Sequence, residues 1–206
     1  MRSLVRASTL PLRHSMLPVA LGAAVLLPVV TLGWLDGGSA LVVLRWTGVL
    51  LAVGWLAAVD DPCGEVVAAS PYSRSTRTCS RLLLAAALVV PGWAWAALLV
   101  HLRQPGFPVL PVGVEGLGLA AAGVAAAAAL RAWRDVHLPG HLAALGVLAM
   151  FALTDALPRW YALQVAQTWG PPWTAAHLRW VAVLLLATAV VLAALRDPLA
   201  GRTARR

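Results

Sequence analysis

ALVVLRWTGVLLAVGWLAAV, residues 40–59, is an almost unbroken apolar run of twenty residues with a single ionisable group, Arg45. A helix rising 1.5 Å per residue needs about 20 such residues to cross a hydrocarbon core ~30 Å thick. Lipid offers no partners to backbone N–H and C=O groups, so a spanning segment is either a helix or a strand of a closed barrel. A barrel strand alternates apolar and polar residues, and this run does not, so it reads as a transmembrane helix. Immediately upstream lies Asp36-Gly37-Gly38-Ser39, and before that another apolar run, residues 17–35. A turn that short forces two antiparallel helices.

Outward from this hairpin the same pattern recurs. Of the 206 residues, 61% are hydrophobic and only 12% are charged, too little charge for the surface of a soluble domain of this length. The apolar residues come in blocks, and the blocks predict an all-α polytopic membrane protein. It forms a single transmembrane domain with six spans: 17–35, 40–59, 82–102, 113–130, 141–157 and 180–195. Residues 1–15, with Arg2, Arg6, Arg13 and His14, form an interfacial helix or a basic lead-in, and the long run after them reads as a retained first span. Residues 60–81 form a polar loop. Residues 158–179 are too apolar for an ordinary loop, and Gly170-Pro171-Pro172 breaks them into two short pieces. Two half-helices dipping into the outer leaflet are expected there, with Trp160, Tyr161, Trp169 and Trp173 at the membrane interface.

The formal charge of +8 comes from arginine alone, since the chain has no lysine. These arginines sit at the ends of apolar blocks, which is how a membrane protein sets its topology and not how a nucleic-acid surface is built. With the N-terminus inside, twelve of the sixteen arginines are on the inner side, and only Arg103, Arg159 and Arg179 are outside. Both termini are therefore expected in the cytoplasm of a bacterium, with the chain in its cytoplasmic membrane. Arg45 lies within the membrane, where a charge is expensive unless it snorkels or is paired. It either snorkels to the outer surface one turn away or pairs with Glu115 or Asp155. The run GLGLAAAGVAAAAAL, residues 116–130, is unusually small-faced and is expected to pack against another helix, not lipid.

Little in the chain suggests catalysis. There is no HExxH, GxSxG or Walker A sequence. His137 and His141 have helical spacing, but Pro139-Gly140 falls between them. Asp155 and His177 could meet near the outer surface without an obvious third group. Cys63 and Cys79 share the 60–81 loop and are expected as free thiols. No catalytic site, metal or cofactor is expected on this chain.

Within that loop, Gly64 and Glu65 run into Ala69-Ser70-Pro71-Tyr72-Ser73-Arg74. This segment resembles the first inner loop of ABC-2 type transporter permeases, where an acidic, glycine-bearing stretch leads into a Ser/Thr-Pro-x-Ser-Arg segment. The basic-acidic run that precedes the glycine in that family is reduced here to Asp60-Asp61-Pro62-Cys63. The resemblance implies the permease subunit of an ABC exporter for a hydrophobic or amphipathic substrate such as a lipid, drug or peptide. Gly64, Glu65, Ser70, Pro71, Ser73, Arg74 and Arg77 would form the coupling element that meets a separate ATPase subunit. That partner would hold ATP and magnesium, and the conduit would form with a second copy or a related permease. Arg45, Glu115 and Asp155 are the candidate polar groups of the pathway. The competing expectations are a non-transporting accessory or immunity protein and a membrane-embedded enzyme with an outer Asp155/His177 site.

Overall fold

The computed structural model describes residues 17–31, 33, 36–60, 74–134, 138–154, 162–165 and 169–195. Among these residues there are six helices: α1 (Leu17–Val30), α2 (Gly37–Ala57), α3 (Arg74–Arg103), α4 (Val109–Arg134), α5 (Pro139–Thr154) and α6 (Pro171–Leu195).

Six helices do not make six spans. Among the described residues, four are long and apolar enough to cross a membrane: Gly38–Ala57, Thr76–Arg103, Val109–Arg131 and Pro171–Ala194. The expected six-span architecture is corrected accordingly. The helix α1 has 14 residues and α5 has 16, which at 1.5 Å per residue gives only about 21 and 24 Å, short of the ~30 Å core. The run 17–35 is apolar throughout, but its helix stops at Val30, and the Thr31 hydroxyl folds back onto the Leu27 carbonyl at 2.8 Å. The re-entrant pair expected over 158–179 is also corrected. Residues 171–179 are the first turns of the continuous helix α6. Gly170, at φ +101°, turns the chain into it, and two prolines occupy its start, where their missing N–H groups leave nothing unsatisfied.

Two further boundaries have a local cause. Asp36 N-caps α2 by accepting from the Ser39 N–H at 2.7 Å, while the Ser39 hydroxyl accepts from the Asp36 N–H at 2.7 Å. The Ser39 backbone and side-chain hydrogen bonds hold the Asp36 carboxyl below its ordinary 3.8. A depressed folded value means that the cap contributes above the ordinary value and is lost as pH falls through the lowered one. Gly106, at φ +94°, makes the tight link between α3 and α4.

The helices α2 and α4 form the centre. The first packs against α1, α3, α4 and α5, and the second against α2, α5 and α6. In lipid no hydrophobic force drives helices together, so close backbone approach has to supply the packing. Glycines provide it. A Cβ on Gly48 would lie 3.4 Å from the Gly116 Cα, so the α2 and α4 backbones nearly touch. Gly118 lies beneath the fully buried Trp180 of α6, and Gly123 beneath Leu56 and Val147. The small face expected over 116–130 is thus turned inward. Leu83, Leu145, Leu185 and Leu186, all more than 60% exposed, point outward, as suits a lipid-facing surface and not a water-facing one.

The Gly118 contact yields a prediction. A Cβ there would come within 2.6 Å of Trp180 Cε3, and Trp180 is pinned by its indole N–H donating to the Leu163 carbonyl at 2.7 Å. Gly118→Ala should therefore destabilise by about 1–3 kcal/mol, the usual range for overpacking. Gly146→Ala, where nothing lies within 4 Å, should leave stability unchanged. Unfolding midpoints of the two variants in one detergent compare them directly.

Candidate functional site

The polar side chains gather at the two ends of the bundle. At one end Arg45, in the third turn of α2, meets Glu115, in the second turn of α4. Arg45 Nε lies 2.7 Å from Glu115 Oε2, and Nη2 lies 3.0 Å from Oε1. This is the bidentate fork that a guanidinium makes best. The pair is enclosed, with side-chain exposures of 10% and 3%. Arg45 therefore pairs instead of snorkelling, and Glu115 is the partner. Asp155, the other candidate, lies outside the described residues.

His177 of α6 joins the pair. Its Nε2 is 3.4 Å from Glu115 Oε1. Its Nδ1 is 2.8 Å from the Trp173 carbonyl oxygen. A carbonyl only accepts, so Nδ1 carries a hydrogen. When Nε2 is protonated too, an imidazolium faces the carboxylate. When it is not, a lone pair faces the carboxylate. The Trp173 ring lies against the imidazole, with centroids 4.2 Å apart.

These groups also hold down irregular backbone. Arg45 Nη2 donates to the Val165 carbonyl at 3.2 Å, Arg179 Nη1 to Ala162 at 2.7 Å, and Trp180 Nε1 to Leu163. Non-helical backbone at membrane depth requires this kind of internal satisfaction. Three side chains from two helices thus fasten residues 162–165 over this end of the bundle.

At the opposite end Asp60, 3% exposed, follows the last turn of α2. Its Oδ1 accepts from the Gly140 N–H at 2.7 Å and its Oδ2 from the His141 N–H at 3.0 Å. His141 Nδ1 contacts the same Oδ2. Asp60 is therefore the N-terminal cap of α5, supplied from a different helix. Beside it Arg131 Nη2 donates to the Val59 carbonyl at 3.1 Å, while Arg131 Nη1 and Arg81 Nη2 approach the Thr78 hydroxyl at 3.5 and 3.3 Å. This knot ties α2, α3 and α4 at their shared end.

Several expected site residues fall outside the described residues: Gly64, Glu65, Ser70, Pro71, Ser73, Trp160 and Tyr161, together with Cys63. Arg74 begins α3, and Arg77 lies one turn along it, half-buried. Trp173 is buried in the first turn of α6, while Trp169 is exposed just before it. Cys79 is a free, exposed thiol on α3. The structure brings Arg45, Glu115, Trp173 and His177 to one end and places Arg77 at the other. It adds Asp60, Thr78, Arg81, Arg131 and His141, which sequence reasoning did not single out as site residues. The sequence shows only that a cap is missing locally: Pro139 starts a helix, yet the residue before it is Leu138, which has no side-chain acceptor, so the cap has to come from elsewhere. No family model, curated protein or solved structure matches the chain, and its class rests on its own residues: it is a polytopic, largely helical membrane protein with several apolar spans.

Proposed function

We propose that this chain is the permease subunit of an ATP-driven exporter in a bacterial cytoplasmic membrane, acting with a separate ATPase subunit that binds ATP and magnesium. The chain itself performs no catalysis. A second copy or a related permease completes the conduit, and the cargo is hydrophobic or amphipathic. In this reading the Asp60 end faces the cytoplasm, in keeping with the arginines gathered there.

The observation that carries the proposal is the anchoring on both sides of the 61–73 stretch, which holds the sequence resembling a coupling element. On one side Asp60 is fastened to the start of α5. On the other, α3 is fastened to α4 through Thr78 and Arg131. A displacement of 61–73 by a partner would therefore move α2, α3, α4 and α5 together instead of being absorbed by a slack loop.

The test is purification of the tagged chain in mild detergent from its native cell, with identification of what co-elutes. The expected result is a stoichiometric ATPase that is lost when Glu65 and Arg74 are both changed to alanine. A chain that elutes alone, or with proteins that are not ATPases, across several gentle detergents would refute the exporter reading.

A further inference from the structure

The helices α3 and α4 meet sparsely along their length. The gap between them, backed by α2, is a cleft of about 400 Å³. That volume is within the ~300–1,000 Å³ of small-molecule sites. Its floor is the Gly48–Gly116 crossing, and its walls include Trp55, Val89 and Trp93. Every lining side chain is apolar. Leu110, Val90 and Leu117 are its most exposed lining residues, at 80%, 63% and 55%, and all three lie on membrane-spanning helices, so the cleft opens toward the surrounding lipid.

The dimensions identify the occupant. On α4 the lining runs from Leu110 to Ala120, which at 1.5 Å per residue is about 15 Å along the axis, half of a hydrocarbon core ~30 Å thick. A helix segment of that length, about 10 Å across with its side chains, fills on the order of 1,200 Å³ and does not fit in 400 Å³. A hydrocarbon chain of the same length, roughly 4 Å across at van der Waals contact, fills on the order of 200 Å³ and does. Water gains nothing from an apolar wall, and a dry void would forfeit the dispersion contacts of its whole lining. We propose that this cleft binds a single acyl chain of a membrane lipid, drawn from one leaflet and held between α3 and α4. The site requires no ATPase partner, so it stands independently of the exporter reading.

The test is photolabelling in nanodiscs of phosphatidylcholine containing a trace of the same lipid with a diazirine on its acyl chain. Adducts are mapped by peptide mass spectrometry. The outer face of α6, at Leu185 and Leu186, is 67% and 68% exposed and serves as the reference for unspecific lipid contact. Labelling at Val89, Val90, Trp93 and Leu117 should exceed that reference by about tenfold, equivalent to ~1.4 kcal/mol. Ala86→Phe fills the cleft and should bring its labelling down to the reference while leaving α6 labelling unchanged. Val90→Phe, at the exposed rim, gives the same readout if Ala86→Phe does not fold. Equal labelling of the two faces in the unmodified chain would overturn the proposal. So would a disulfide joining two copies of a Val90→Cys variant under mild oxidation, which would mean that a second chain fills the cleft.

Discussion

Glu115→Ala should destabilise the folded chain by about 3–5 kcal/mol, the range observed when one member of a buried ion pair is removed. The loss comes less from the missing attraction than from Arg45, which stays at membrane depth with only 10% of its side chain exposed and no carboxylate to neutralise it. Arg45 cannot easily withdraw, because it is also tied to the Val165 carbonyl. Glu115→Gln, which keeps an acceptor oxygen but not the charge, should fall between wild type and the alanine variant. The double variant Arg45→Met/Glu115→Leu should recover most of the stability, because replacing a buried pair by apolar residues of similar size is often neutral. A double-mutant cycle on unfolding midpoints in mixed detergent micelles isolates the coupling. If Glu115→Ala costs less than ~1 kcal/mol, Arg45 reaches water on its own and the pair does not hold α2 to α4. His177→Ala removes a neighbour of the carboxylate but leaves both Arg45–Glu115 hydrogen bonds in place, so it should cost less than Glu115→Ala.

The class of the protein was legible in residues 40–59 alone, because length and composition together leave only a spanning helix. Arg45 and Glu115 were legible as candidates for one another because a lone charge at that depth demands a partner. The number of spans was not legible. Hydropathy reports how apolar a stretch is, not where its helix stops. The run 17–35 stays apolar past Val30, where the helix ends. Gly170-Pro171-Pro172 was read as a break between two pieces, since proline interrupts helices, but here the same residues begin one. His177 was considered with Asp155, a nearer acid in sequence than Glu115. The structure sets it against Glu115 because α6 packs along α4, and no local periodicity encodes which helices become neighbours. The cap on α5 was hidden for the same reason, since Asp60 lies 80 positions before Gly140.

That distant cap carries the second large effect. Asp60→Ala should destabilise by about 2–4 kcal/mol. Loss of an N-cap alone is worth ~0.5–2 kcal/mol, and here the N–H groups of Gly140 and His141 are both left facing a closed junction, an added penalty of order 1–3 kcal/mol for an unsatisfied buried donor. Asp60→Asn tests the contribution of charge: it retains one carbonyl oxygen, so it should preserve one of the two backbone bonds and lose about half as much. Gly140→Ala approaches the same junction from the other side. A Cβ there would run into the Leu56 carbonyl oxygen and lie 3.0 Å from Asp60 Cγ. The carbonyl belongs to the helix backbone and cannot rotate away, so the start of α5 has to move off Asp60. The two substitutions break one contact from opposite sides, so their effects should not add: the double variant should be little worse than the worse single one, with a coupling of about 1–3 kcal/mol. Unfolding midpoints measure the energies, and hydrogen exchange localises them, with the first turn of α5 exchanging faster in each variant while the Arg45 end keeps its protection. Additive effects, or loss of protection at both ends together, would mean that Asp60 supports the bundle as a whole and is not a specific link between the end of α2 and α5.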